Sequence, residues 1–282
     1  MSVRILSDST SDIGQERAKE WGVTLVPLKV LFGEDEYRDG VDLPLEQFYE
    51  KLEHGSTLPT TSQPSPEEFI EVFEEIKASG DEAVVLTISS GLSGTYQSAC
   101  LAKEECGYDK IYIVDSKQVT LSLQLMVRRA MELKDEGKSG KEIADIIEQE
   151  KARFRFYGII DDLTYLERGG RLPKTGVVVG TALKLKPIIT ITTDGVVKLI
   201  GVARGMNGAF SKVLKMVEAA GGRDTDEEYC IGYTGDRAVL EPLEDYLEGK
   251  ADEEKRLVSS IGTVIGTHGG PGCIVFAFSL KK

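Results

Sequence analysis

The stretch Ser89-Ser90-Gly91-Leu92-Ser93-Gly94-Thr95 gathers four hydroxyls and two glycines. The apolar run Ala83–Ile88 before it reads as a buried parallel strand, and Gln97–Ala102 after it reads as helix. A strand-to-helix turn of this kind leaves backbone N–H groups free at a helix N-terminus, where their dipoles favour an anion. Small residues let that anion approach the backbone. Ser93 serves equally well as a plain helix N-cap. A second polar stretch, Thr60-Thr61-Ser62-Gln63, is bracketed by Pro59 and Pro64. It reads as a stiff hydroxyl-rich loop suited to hydrogen bonding. Ser65 with Pro66, Glu67 and Glu68 is a helix start that needs no function. Asp8-Ser9-Thr10-Ser11-Asp12 follows the first strand, Val3–Leu6, where open α/β sheets place ligand groups. Asp12 or Ser11 is also a candidate cap for the helix reaching Trp21.

Two further residues complete the set. Arg171 follows Gly169-Gly170 after a short helix, and His268 precedes the loop Gly269-Gly270-Pro271-Gly272. With only two histidines in the chain, and His54 read as a surface residue near a helix end, His268 is the one realistic base. Ser93 and His268 therefore frame a serine hydrolase reading. The context Gly91-Leu92-Ser93-Gly94 is one residue short of the G-x-S-x-G elbow. The competing reading is a binding site for an amphipathic anion. Thr61, Ser62 and Ser93 would hold a carboxylate or phosphate head, with an apolar tail between two domains. A helix N-terminus contributes roughly 0.3–2 kcal/mol to an anion, whereas each buried methylene contributes about 0.8 kcal/mol. The tail would set affinity and the hydroxyls would set orientation.

The elements that must carry these residues follow from pattern. Strand and helix alternate through Val23–Val30, the Ala83 strand, Lys110–Val114 and the helices Met126–Gly137 and Ser139–Lys151. This indicates a parallel sheet with covering helices. The segment 32–42 reads as turn-rich. Beyond residue 160 the pattern changes to a hairpin about Asp194-Gly195, with strands 228–233 and 256–261 and helices 209–220 and 238–247. The expected fold is α/β in two domains. Residues 1–158 form a Rossmann-like parallel sheet with helices on both faces. Residues 159–282 form an α+β domain, with the ligand in the cleft between.

Composition removes other classes. A net charge of −13 argues against nucleic acid or an anionic membrane surface as main partner. Cys100, Cys106, Cys230 and Cys273 are scattered, which fits reduced thiols in a cytoplasm and gives no metal spacing. No apolar run spans a bilayer, so no stable membrane insertion is expected. No G-x-G-x-x-G or P-loop is present.

In order along the chain, Asp8-Ser9-Thr10, Pro27-Leu28, Thr61-Ser62-Gln63-Pro64-Ser65, Ser89–Thr95, Val114-Asp115-Ser116, Leu163–Arg171, Lys186-Pro187-Ile188, Arg204-Gly205 and His268-x-Gly270-Pro271-Gly272 match one family. The chain resembles the DegV family, the fatty-acid-binding subunits of bacterial fatty acid kinase, over nearly its whole length. The resemblance implies a long-chain fatty acid buried between the domains. It assigns the carboxylate contacts to Thr61 and Ser93, assisted by Ser62 and the Gly94 N–H. Arg171 and His268 would lie at the head-group opening, near the acyl phosphate or the partner. That partner is implied to be a separate kinase subunit resembling dihydroxyacetone kinase, which phosphorylates the carboxylate for phospholipid synthesis. The implied protein is a carrier with no catalytic residue, cofactor or metal of its own. Val275 and Phe276 stand close to where the family commonly has a further glycine. The alternatives are a serine esterase and a lipid-sensing regulator.

Overall fold

The computed structural model describes residues 2–55, 57–173, 184–249 and 251–281. In chain order the first half comprises β1 (Val3–Asp8), α1 (Gln15–Trp21), β2 (Val23–Val26), β3 (Lys29–Phe32), β4 (Asp35–Arg38), α2 (Leu45–His54), β5 (Thr60–Ser62), α3 (Pro66–Ser79), β6 (Glu82–Thr87), α4 (Thr95–Cys106), β7 (Ile111–Asp115), α5 (Thr120–Asp135) and α6 (Gly140–Glu150). The second comprises β8 (Phe154–Ile159), α7 (Thr164–Arg168), β9 (Leu185–Ile191), β10 (Val197–Arg204), α8 (Gly205–Ala219), β11 (Tyr229–Tyr233), α9 (Glu241–Leu247), β12 (Arg256–Ser260), α10 (Thr263–Gly269) and β13 (Ile274–Ser279).

Four strands form a parallel sheet in the order β2-β1-β6-β7. Its strands are apolar on both sides because both sides are covered. Phe69, Phe73 and Ile76 of α3 pack with Ala99 and Ala102 of α4 against Leu6, Ala83 and Val85. Ile143 and Ile147 of α6 pack with α5 on the opposite side, against Ile5, Val84 and Leu86. Six strands form a mixed sheet in the order β10-β9-β8-β13-β11-β12. The β9–β10 hairpin is antiparallel, as the Asp194-Gly195 turn requires. β8 belongs to this second sheet, so the expected boundary at 158/159 falls inside that strand.

One helix joins the two sheets. α5 is buried around most of its circumference, from Thr120 through Leu133. A helix apolar on all sides must lie inside the protein. Leu123, Met126 and Val127 share a single core with Ile5 and Val84 of the parallel sheet and with Phe156, Val275 and Ala277 of the mixed sheet. This helix begins at Thr120, six residues before the expected Met126.

A small third sheet, β4-β3-β5, departs from expectation. The run Val23–Val30 is not one strand. Pro27 has no N–H to continue a ladder, and the Leu28 amide turns to donate to Ser9 Oγ at 3.0 Å. β2 therefore joins the parallel sheet, and β3 leads away from it. The turn-rich 32–42 segment contains β4, antiparallel to β3. The proposed loop at Thr60–Gln63 is largely strand, because Thr60, Thr61 and Ser62 pair antiparallel with Leu31, Val30 and Lys29.

Candidate functional site

A cavity of about 280 Å³ lies between the parallel and mixed sheets. Its body is apolar. Phe156, Ile189 and Ile191 of the mixed sheet face Leu28 and Ile88, with Val119, Val264 and Val275 between them. Its polar end brings together Thr61, Ser62, Ser93, Arg171 and His268. Among the described lining residues Arg171 carries the one permanent charge.

Each polar residue is placed by a different element. Thr61 sits on β5, held by pairing to Val30. Ser93 ends the turn after β6, where Leu92 N and Ser93 N donate to Ser89 O at 2.9 and 3.2 Å. Gly94 is the N-cap of α4, and the first-turn amides there lack intrahelical acceptors. The Ser93 hydroxyl lies 2.9 Å from Thr95 Oγ1 and accepts from Thr95 N at 3.4 Å. Ser93 lines the cavity, while the N-cap position expected of it falls to Gly94, without a side-chain cap bond. Gly94 is tightly covered, since a Cβ there would lie 2.1 Å from Gln63 Oε1. Gln63 in turn donates to Ser98 Oγ at 2.9 Å, which ties the Thr-Ser-Gln segment to the serine turn.

Arg171 crosses between the two halves of the protein. Its Nε donates to Leu92 O at 3.1 Å, and Nη1 donates to Gly169 O at 2.6 Å. The Gly169-Gly170 pair ends α7 as expected, with Gly170 in the left-handed region at φ 70°. Gly169 is required by a close approach: a Cβ there would lie 2.2 Å from His268 Nδ1.

His268 is not in a loop; it lies in the last turn of α10. Its Nε2 is 2.9 Å from Thr61 Oγ1, and its Nδ1 is buried without a partner. Burial, with a smaller contribution from the Arg171 charge, pushes its pKa down to about 4. The imidazole is therefore neutral at pH 7, so at least one ring nitrogen meets the site as a dipole rather than a charge.

The hydrolase reading fails on this geometry. The Ser93 hydroxyl faces Thr95, while the imidazole is committed to Thr61. Among the described residues no carboxylate orients Nδ1, which has no partner. A base with a pKa near 4 is also far from the value that general-base catalysis at neutral pH favours.

The Asp8–Asp12 turn takes another role. Neither Asp12 nor Ser11 caps α1, whose N-cap is Gly14. Asp12 Oδ1 accepts from Gly262 N at 2.8 Å and Oδ2 from Thr120 Oγ1 at 2.5 Å. Asp39 Oδ1 accepts from Thr263 N at 2.8 Å and Thr263 Oγ1 at 2.7 Å. These carboxyls satisfy the N-terminal donors of α10, the helix that carries His268 at its other end. Burial raises the pKa of both, that of Asp12 well above the usual carboxylate range. Asp39 was not singled out for this from sequence; its only signal was its place in an Asp-Gly turn. Thr120, Thr234 and Cys273 also line the cavity and had no distinguishing motif. His54 is exposed, as expected.

Comparison with known proteins points one way. The family model that matches residues 2–281 is that of uncharacterised proteins of the DegV family. A DegV domain-containing protein of Caldanaerobacter subterraneus is 35% identical over 99% of each chain. Among solved structures, a fatty-acid-binding DegV family protein from Thermus thermophilus is 36% identical, with a TM-score of 0.88 over 99% of this chain and 100% of its own. A stearic acid-binding protein from Eubacterium ventriosum is 29% identical, with a TM-score of 0.84 over 99% and 98%. Among the described residues, no helix is long and apolar enough to cross a membrane.

Proposed function

This chain belongs to the DegV family, and on that premise we propose that it binds a long-chain fatty acid and presents it to a separate kinase subunit. The observation that carries the reading is the cavity between the two sheets, with its apolar body and polar end. The acyl chain occupies the body, between the parallel and mixed sheets. Thr61 and Ser93 donate to the carboxylate, with Ser62 and the Gly94 N–H completing the cradle. Hydrogen bonds to an ionised carboxylate are the stronger kind. Arg171 supplies the positive charge, and neutral His268 fixes the Thr61 hydroxyl.

Affinity and orientation then divide. At about 0.8 kcal/mol per buried methylene, the tail holds the ligand. The hydroxyls place its head at the opening by Arg171 and His268. A kinase resembling dihydroxyacetone kinase would transfer the γ-phosphoryl group of ATP to the carboxylate oxygen, leaving ADP and an acyl phosphate for phospholipid synthesis. The carrier does no chemistry itself, needs no cofactor, and works in the cytoplasm.

Native mass spectrometry of protein from a heterologous host, with extraction of what it carries, tests this reading. A stoichiometric fatty acid released intact is the expected result. An empty protein that takes up no added fatty acid, or a fluorophosphonate adduct on Ser93, would overturn it.

A further inference from the structure

A second cavity, about 560 Å³, is lined by Lys117, Lys151 and Arg155 together with Tyr157, Thr190 and Ile200 of the mixed sheet. No carboxylate lines it among the described residues. We propose that it binds a phosphate monoester whose organic part has an apolar face and hydrogen-bond donors.

Charge accounting identifies the head. Lys117 Nζ pairs with Asp115 at 2.7 Å, and Lys151 Nζ pairs with Glu148 at 2.6 Å. Lys151 also donates to Asp115 O at 3.1 Å, which brings the two ammonium groups to one residue. Arg155 differs from both. It is half-buried, and its Nη1 donates to the backbone carbonyls of Ala152 and Phe154. Burial lowers its pKa, and no carboxylate is among the causes that offset this. Among the described residues one guanidinium charge is thus left without a counter-ion, in a chain of net charge −13. A phosphate monoester carries roughly 1.5–2 negative charges at pH 7, and guanidinium is the cation best matched to phosphate geometry.

The remaining lining sets the organic part. Ile200 and Met216 give an apolar wall, and Ala219 and Ala220 bring the C-terminus of α8 to the groove. A helix C-terminus presents carbonyls and negative dipole, which disfavours phosphate there and favours donors. Gln118, which follows Lys117 and donates from Nε2 to Phe154 O at 3.3 Å, has its Oε1 buried without a partner among the described residues. The groove therefore offers cations to an anionic head and carbonyl acceptors to hydroxyl or amino groups.

Calorimetric titration of the full chain with AMP, glycerol phosphate and inorganic phosphate tests the proposal. AMP should bind saturably, at least about tenfold tighter than inorganic phosphate, and salt should weaken it. Glycerol phosphate binding as tightly as AMP would identify a lipid-type headgroup rather than a free nucleotide as the source, within the same site. Arg155→Gln should weaken binding by at least about tenfold. Lys151→Met, at a partly exposed position, should do so without altering the circular dichroism spectrum, and it decides the matter if Arg155→Gln does not fold. Organic phosphates that bind no tighter than inorganic phosphate, or a folded Lys151→Met that binds as the parent does, would overturn the site.

Discussion

The turns after β1 and β6 are neighbours at the carboxyl edge of one parallel sheet, and both are dense in hydroxyls. They do different work. After β1, Asp8, Ser9, Thr10, Ser11 and Asp12 are all buried. Asp8 accepts from Thr10 N at 3.0 Å and Ile88 N at 2.7 Å, and Ser11 Oγ donates to Asp8 O at 2.9 Å. Asp12 is occupied by Thr120 and Gly262. After β6, Ser89 is likewise consumed, donating to Gly195 O at 2.7 Å. Ser93, by contrast, lines a cavity and shares its hydroxyl with Thr95 alone. Hydroxyl density marks a turn that needs many hydrogen bonds. What is left over after those bonds are made marks the site.

The sharpest way to break this comparison is to truncate one member of each turn. Asp12→Ala leaves the Gly262 amide and the Thr120 hydroxyl without their partner in the interior, and should cost about 3 kcal/mol of stability in urea unfolding. Asp12→Asn should cost less, about 1 kcal/mol, because the amide oxygen can still accept from one of the two donors, Gly262 N or Thr120 Oγ1. Equal losses in the two variants would show that charge, not hydrogen bonding, is what Asp12 contributes. Ser93→Ala should behave in the opposite sense. Fatty acid affinity should fall by about 2 kcal/mol, while the urea midpoint stays within error of the parent. A drop in stability without a drop in affinity would make Ser93 another structural hydroxyl.

Gly169→Ala probes the polar end without touching a hydrogen-bonding group. Its Cβ would displace the imidazole of His268, and affinity should fall by about 1 kcal/mol. Unchanged binding would mean that the Thr61–His268 contact does not orient the head group.

The smallest effect separates the two regions by pH. Burial pushes Asp8 up to about 6 and His268 down to about 4. Between pH 4 and 6 the folded protein holds the Asp8 proton that the unfolded chain has released, so this group makes stability fall as pH rises. His268 acts oppositely. The unfolded chain takes up its proton first as pH falls below 6.5, so stability is lost as pH drops from 6.5 toward 4. In the parent His268 opposes Asp8, while Asp12 and Asp39, also raised by burial, act with Asp8. Removing the imidazole with His268→Gln should leave a stability that declines as pH rises from 4 to 6, read from urea midpoints. A flat profile would place either pKa elsewhere.

Local pattern accounts for much of this architecture. The alternation of apolar strands and amphipathic helices in the first half could be read directly, as could the Asp194-Gly195 hairpin and the helix start at Ser65, where Ser65 N donates to Glu68 Oε2 at 2.8 Å. The polar residues that meet at the cavity were legible as well. Thr61, Ser62 and Ser93 stood out as hydroxyl clusters flanked by prolines or glycines, Arg171 by the two glycines before it, and His268 as one of two histidines.

Other features were decided by partners far away in sequence. β5 spans three residues and exists because β3 lies beside it; so short a segment has no period of its own. The break at Pro27 could be suspected, but only the Ser9–Leu28 bond shows where the chain goes next. α10 is seven residues long and glycine-rich, a poor helix in isolation. It forms because Asp12 and Asp39 satisfy its first donors across more than two hundred residues. Sequence by itself determined which chemistry the chain carries and the layers that support it, since propensity and periodicity act over a few neighbours. Tertiary structure decided which hydroxyls are spent on the fold and which remain for a ligand, since that depends on desolvation and on partners no local window contains.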